Sequence, residues 1–145
     1  MYDIENYYNA ETIKEAVTLL KEHPEAMIIS GGSDVLIKIR EGKLAGTSLV
    51  CIRDIKELKG IIKMDSGDIY IGAGTTFSHI TEDPVIRENI PVLGEAVDQV
   101  GGPQIRNIGT IGGNICNGAV SADSAPALFS LNALLRTADG SGGRT

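Results

Sequence analysis

A glycine-rich turn between a predicted strand and a predicted helix is the first segment whose residue types suit binding chemistry. The segment passes from apolar to small and polar side chains through Met27, Ile28, Ile29, Ser30, Gly31, Gly32, Ser33 and Asp34. Such a turn presents unpaired backbone N–H groups, and glycine allows a ligand to approach the backbone closely. We therefore predict an anion-binding loop. A Gly-Gly turn is also required for purely steric reasons in many folds, so both interpretations stay open.

A second glycine-rich segment follows later in the chain and combines a hydroxyl with a carboxamide. Its residues are Gly109, Thr110, Ile111, Gly112, Gly113 and Asn114. The surrounding stretch 104–118 lacks helical periodicity, so we predict an irregular loop there. Thr110 and Asn114 can donate hydrogen bonds to phosphate or ribityl oxygens. The segment predicts a second, independent loop around the same ligand.

Asp123 precedes a predicted short helix that contains Pro126 at an early position. One interpretation is that its carboxylate only caps this helix. The other is that the carboxylate accepts hydrogen bonds from sugar hydroxyls, as acidic residues do in dinucleotide sites.

Several other kinds of site are disfavoured. The first loop has neither the G-x-G-x-x-G spacing nor a G-K-[ST] sequence, so it is not a Rossmann or Walker A loop. Cys51 and Cys116 lack the spacing of a metal site, and His23 and His79 are predicted to be surface residues. A net charge of −6 is unfavourable for binding a nucleic-acid backbone. We therefore assign no catalytic and no metal-binding residue.

The first loop is positioned by a predicted parallel βαβ unit. An amphipathic helix begins near Asn9 and ends at His23-Pro24, a strand covers 27–29, a helix runs from Val35 to near Gly42, and a second strand covers 48–52. These elements form a small α/β subdomain over residues 1–57.

The second segment belongs to a predicted α+β subdomain over residues 58–145. Its elements are a hairpin of 61–64 with 69–72, a helix over 77–82 capped by Thr76, a helix that ends at Gly101, and a strand over 133–137. The turn at Asp139-Gly140 has no predicted strand after it, so we expect this subdomain to be incomplete at its carboxy terminus.

The composition fits a soluble protein with a hydrophobic core. The chain has 145 residues, of which 42% are apolar and 22% charged. Its apolar runs are far shorter than the roughly 20 residues that span a bilayer, and no secretory leader is recognisable. We expect a cytoplasmic protein.

The stretch from Gly102 to Leu128 closely resembles the signature of the FAD-binding subunit of xanthine dehydrogenases and related molybdopterin hydroxylases. The distance in sequence between this stretch and the first loop also resembles that of the family, and the resemblance extends over essentially the whole chain. It implies the two-lobed α+β FAD-binding domain of the vanillyl-alcohol-oxidase (PCMH) type, here the amino-terminal half only, because family members are about twice as long. In that family, electrons pass from a molybdopterin-binding subunit and a 2Fe-2S subunit through FAD to NAD.

The resemblance also implies roles for individual residues. Residues 27–34 and 109–114 would form the two loops around the FAD pyrophosphate, Asp123 would touch the cofactor, and Gly102 would lie beside it. The residues between Ile115 and Ser124 look nearer to the purine-oxidising members than to the carbon monoxide or nicotinate enzymes. Two other functions stay open: a stand-alone flavin-dependent oxidoreductase of the same fold, and a cofactor-free nucleotide-binding or assembly module.

Overall fold

The computed structural model describes residues 2–139 and 143–144. The chain divides into two compact units, Met1–Glu57 with Leu134–Thr145, and Leu58–Ala133. A short 3-10 helix at Lys56–Leu58 covers the boundary. Residues from Leu134 onward thus group with the first unit, whereas the sequence placed them in the second.

The first unit contains a three-stranded parallel sheet with β3 in the centre. Its strands are β1 (Ile4–Asn9), β2 (Met27–Ile29) and β3 (Thr47–Cys51), in the order β1-β3-β2. The helices are α1 (Ile13–Glu22) and α2 (Val35–Arg40). The register of β2 on β3 pairs Ile28 with Val50, and both strands run in the same direction. This confirms the predicted parallel βαβ unit.

The amino-terminal end of the first unit corrects one sequence prediction. Helix α1 begins at Ile13 and not near Asn9, because the preceding residues form β1. Thr12 caps the helix, and its Oγ1 accepts a hydrogen bond from the Glu15 N–H group at 3.1 Å. The core of the unit consists of buried residues from β2, α2 and β3: Ile29, Ile39, Leu49 and Cys51.

The second unit packs a hairpin against six short helices. The hairpin consists of β4 (Ile61–Lys63) and β5 (Ile69–Ile71), which are antiparallel. The helices are α3 (Phe77–Glu82), α4 (Pro84–Asn89), α5 (Pro91–Val97), α6 (Pro103–Ile108), α7 (Ile111–Asn117) and α8 (Ser124–Ser130). Their shared core comprises Phe77, Ile80, Ile86, Leu93, Val97, Ile111 and Ala127. The predicted hairpin and helix α3 are confirmed, and Thr76 caps α3 as expected.

The prediction of an irregular loop over 104–118 is wrong, because α6 and α7 occupy most of this stretch. Pro103 stands at the start of α6, where its missing N–H group costs nothing and its fixed φ angle suits a helix. Thr110 caps α7, and its side chain accepts a hydrogen bond from the Gly113 N–H group. Pro103 and Thr110 thus mark the starts of the two helices, although glycine has a low helix propensity.

The end of the chain also differs from the prediction. Strand β6 covers only Thr137–Ala138 and pairs in antiparallel fashion with β7 (Gly143–Arg144), so the prediction that no strand follows the turn is wrong. The predicted turn falls partly on Gly140, which lies outside the described residues. No helix in the described part of the chain is long and apolar enough to cross a membrane.

Candidate functional site

The first predicted loop connects β2 to α2 in the first unit. The carbonyl oxygen of Ile29 accepts a hydrogen bond from the Ile52 N–H group at 2.9 Å, which fixes the point where the strand ends. Gly32 has a φ angle of +73°, a backbone conformation that residues other than glycine rarely adopt. Its carbonyl oxygen accepts a hydrogen bond from the Leu36 N–H group at 3.1 Å, next to the start of α2. Glycine at this position therefore turns the chain from strand into helix.

This loop retains the donors that an anion needs. Among the described residues, the N–H groups of Gly31, Gly32 and Ser33 have no hydrogen-bond acceptor. The Asp34 carboxylate lies 2.5 Å from the Lys38 ammonium group. Because this cation offsets the charge of Asp34, the carboxylate repels a bound anion less. The loop fits the expected role of holding a phosphate group.

The apolar residues before the turn form the strand that leads into it. Met27 and Ile29 pack with the core of the first unit, whereas the Ile28 side chain is half exposed. Met27 and Ile29 thus fix the strand that presents the loop.

The second segment lies in the second unit, and several of its N–H groups are already hydrogen-bonded, unlike those of the first loop. The Ile111 N–H group donates to the Thr75 carbonyl at 3.0 Å, and the Gly112 N–H group donates to the Ala73 carbonyl at 2.8 Å. The Gly113 N–H group donates to Thr110 Oγ1 at 3.2 Å. The prediction is therefore wrong for these three donors, because the first turn of α7 and the neighbouring chain already satisfy them.

Packing explains two of the glycines in this segment. A Cβ atom on Gly112 would lie 2.6 Å from the Ala73 Cβ atom, and one on Gly109 would lie 3.0 Å from the Phe77 ring. Both positions exclude a side chain for reasons internal to the fold. Gly113 is exposed, and a Cβ atom there would come close only to Thr110 Oγ1, at 2.9 Å.

The second segment still offers polar side chains to a ligand. Thr110 is buried, its Oγ1 accepts a hydrogen bond from the Gly113 N–H group, and its hydroxyl proton remains available to donate. Asn114 is half buried, and its Oδ1 accepts a hydrogen bond from the Ser124 hydroxyl at 2.5 Å. Sequence reasoning missed Ser124, since a serine at the start of a helix gives no signal for a contact ten residues away.

The remaining two predicted residues lie at the starts of helices. Asp123 occupies the position before α8, but its side chain is exposed and makes no capping hydrogen bond, so a pure capping role finds no support. Gly102 occupies the corresponding position before α6 in extended conformation. Its carbonyl oxygen accepts hydrogen bonds from the Ile105 and Arg106 N–H groups, both at 3.0 Å.

The structure thus gathers the predicted residues into two sets. Residues 27–34 lie together in the first unit, and Gly102, the 109–114 segment and Asp123 belong to the second. The unpaired N–H groups of the first set fit a phosphate, and the hydroxyl and carboxamide of the second set fit further oxygen atoms. These donors are compatible with FAD. In the described ranges, no three His, Cys, Asp or Glu side chains cluster as a metal site would require.

Comparisons with known proteins assign the family. The profile of the family described as the FAD binding domain in molybdopterin dehydrogenase matches residues 2–145. The xanthine dehydrogenase FAD-binding subunit of Escherichia coli O157:H7 is 42% identical over 125 residues, which cover 86% of this chain and 43% of that protein. The nicotinate dehydrogenase FAD-subunit of Eubacterium barkeri is 38% identical over 135 residues, or 92% of this chain and 45% of that protein.

Solved structures agree with this assignment. A chain of the Cu,Mo-CO dehydrogenase, in its cyanide-inactivated form, superposes with a TM-score of 0.92 and 31% identity. The superposition covers 99% of this chain and 50% of that one. The expected α+β FAD-domain fold is confirmed, and the chain spans about half the length of the relatives that it matches. The chain belongs to the family of FAD-binding domains of molybdopterin dehydrogenases.

Proposed function

We propose that this chain binds FAD as part of the electron-transfer subunit of a xanthine-dehydrogenase-like molybdenum hydroxylase. The structural observation that supports this proposal most directly is the row of unpaired N–H groups at Gly31, Gly32 and Ser33. These donors would bind the pyrophosphate of FAD, and the positive φ angle of Gly32 shapes the turn that carries them. The family match over residues 2–145 supports the identity of the ligand.

Side chains of the second unit are also proposed to bind FAD. The Thr110 hydroxyl and the Asn114 carboxamide would donate to phosphate or ribityl oxygens, and the exposed Asp123 carboxylate would accept from a hydroxyl group. Gly102, Gly109, Ile111, Gly112 and Gly113 would shape the backbone beside it. When bound, FAD supplies the exchange of electrons between donors and acceptors. The protein residues hold and orient it.

We further propose a partner set and an electron route. A molybdopterin-binding subunit and a 2Fe-2S subunit would deliver electrons, and NAD would accept them from the flavin. The names of the relatives support this proposal, since the two reported sequence relatives are FAD subunits of dehydrogenases. The higher identity to the xanthine dehydrogenase subunit, 42% against 38% for the nicotinate enzyme, supports a role in purine catabolism. The proposed location is the cytoplasm.

Titration with FAD and with FMN tests the cofactor proposal. FMN lacks the pyrophosphate linkage and the adenosine half, so we expect its affinity to be lower by about tenfold or more, the equivalent of one charge-assisted hydrogen bond. Flavin fluorescence gives both dissociation constants, and a rise in melting temperature with FAD gives an independent measure. Equal affinity for both flavins contradicts a pyrophosphate site.

Co-purification with the native partners tests the electron route. The assembled complex should reduce NAD when supplied with a purine substrate, and removal of its flavin should abolish this activity. A complex that reduces an artificial dye but not NAD contradicts the proposed acceptor. Fractionation of the native host checks the location.

A further inference from the structure

Ser124 is a fully buried residue that contacts the proposed cofactor site. It begins α8 with 0% of its surface exposed, and its hydroxyl donates to Oδ1 of Asn114 in α7. The distance of 2.5 Å is at the short end for a hydrogen bond between two oxygen atoms. The position of the Asn114 oxygen is therefore set by Ser124.

This contact also fixes the other end of the Asn114 side chain. A carboxamide is planar, with its oxygen acceptor and its NH₂ donor on opposite sides. Within the described part of the chain, Nδ2 of Asn114 has no hydrogen-bond partner. Every buried side-chain nitrogen and oxygen among those residues does have one. Nδ2 is consequently open to solvent and presented as a donor.

We propose that Ser124 is a positioning residue that makes Asn114 a hydrogen-bond donor toward FAD. This inference rests on the proposed function of the site. Without the serine hydroxyl, the carboxamide can rotate by half a turn and present Oδ1. A phosphate or carbonyl oxygen of the cofactor would then meet lone pairs in place of an N–H group. Ser124 thereby selects acceptor oxygens at this position.

A double-mutant cycle with Ser124→Ala and Asn114→Ala tests the proposal. The dissociation constant of FAD is measured by flavin fluorescence for the full chain, for each single variant and for the double variant, with thermal unfolding of each. We expect Ser124→Ala to weaken FAD binding about fivefold, the effect of one ordinary hydrogen bond. In the Asn114→Ala background, the same substitution should change the affinity no further.

Two outcomes of the cycle overturn the proposal. One is parent-level FAD affinity in Ser124→Ala. The other is an equal loss of affinity with and without Asn114, which indicates a general effect on the fold.

A second readout separates this inference from the proposed function. In the FAD-free protein, Ser124→Ala should shift the ¹⁵N side-chain amide resonance of Asn114. An unchanged resonance overturns the positioning role whether or not flavin binds. Absence of FAD binding by the parent chain overturns the proposed function and, with it, the ligand assigned to Asn114.

Discussion

The N–H group of Gly112 donates to the carbonyl oxygen of Ala73 at 2.8 Å, and this approach leaves no room for a side chain on Gly112. A Cβ atom there would lie 2.7 Å from the same carbonyl oxygen. We predict that Gly112→Ala lowers the free energy of unfolding by about 1–2 kcal/mol, since overpacking outweighs the better helix propensity of alanine. Urea denaturation measures this change.

Gly113→Ala is the matched control in the same helical turn. Gly113 is exposed, and a Cβ atom there would meet one atom within 4 Å, the side-chain Oγ1 of Thr110 at 2.9 Å. We expect a change within about 0.5 kcal/mol, as for other surface substitutions. Equal destabilisation by both variants contradicts the packing role of Gly112.

Gly32→Ala should weaken FAD binding beyond its effect on stability. Gly32 has a φ angle of +73°, and its Cβ atom would lie 3.1 Å from the Leu36 side chain. Alanine at positive φ costs about 1 kcal/mol, and relief of this strain would turn the N–H groups of the loop away from their present direction. We expect FAD affinity to fall about tenfold, as for one charge-assisted hydrogen bond. Flavin fluorescence titration measures the fall.

Gly42→Ala provides the control for backbone strain. Gly42 has a φ angle of +77°, and a Cβ atom there would meet nothing within 4 Å. The Gly42→Ala variant should lose about 1 kcal/mol of stability, similar to Gly32→Ala, and should keep the parent affinity for FAD. If both variants lose affinity equally, the effect of Gly32 is not local to the first loop.

The sequence predicted the first loop well because its signals are local. An apolar run, two glycines and a second apolar run specify strand, turn and helix within about fifteen residues. The unpaired N–H groups of Gly31, Gly32 and Ser33 lie between the end of β2 and the cap of α2 at Asp34, so neither element supplies them with acceptors. Strand β1 gave no comparable signal, because its partner β3 lies about forty residues away in sequence.

The second segment was harder to predict because its contacts are also distant in sequence. The acceptors for the Ile111 and Gly112 N–H groups belong to Thr75 and Ala73, which are more than thirty residues earlier in the chain. Tertiary packing against these residues explains why a glycine-rich stretch forms helix α7, although each glycine costs about 1 kcal/mol relative to alanine. No local pattern distinguishes such a buried contact from an exposed ligand loop.

Tyr7 gives a prediction for alkaline pH. A hydrogen bond to the Cys51 side chain, with a smaller effect of burial, raises the pKa of the Tyr7 phenol above its usual value of 10.0. Because the folded-state pKa exceeds the unfolded one, the contribution to stability is complete below pH 10 and is lost as the pH rises through the folded-state pKa.

Absorbance at 295 nm measures this titration as the difference between the parent and Tyr7→Phe. The midpoint should lie above pH 10, and Cys51→Ala should lower it. A midpoint at or below the usual value contradicts the contribution of Cys51.

Asp123 and Asp83 both occupy the position before a helix, but only one of them caps it. Asp83 Oδ1 accepts a hydrogen bond from the Val85 N–H group at 2.8 Å, whereas Asp123 makes no side-chain capping bond. We therefore predict that Asp83→Ala lowers the free energy of unfolding by about 1 kcal/mol, and that Asp123→Ala changes it by less than about 0.5 kcal/mol.

For FAD affinity we expect the reverse: substitution of Asp123 should lower it, and substitution of Asp83 should not. If the exposed Asp123 carboxylate accepts a hydrogen bond from the cofactor, Asp123→Asn replaces an anionic acceptor with a neutral amide of the same size. A hydrogen bond to a charged group is stronger than a neutral one by about 1 kcal/mol, so the affinity should fall about fivefold while Asp83→Ala leaves it unchanged. Fluorescence titration and chemical denaturation of the same samples give both quantities. Unchanged FAD affinity in Asp123→Asn would remove Asp123 from the cofactor site.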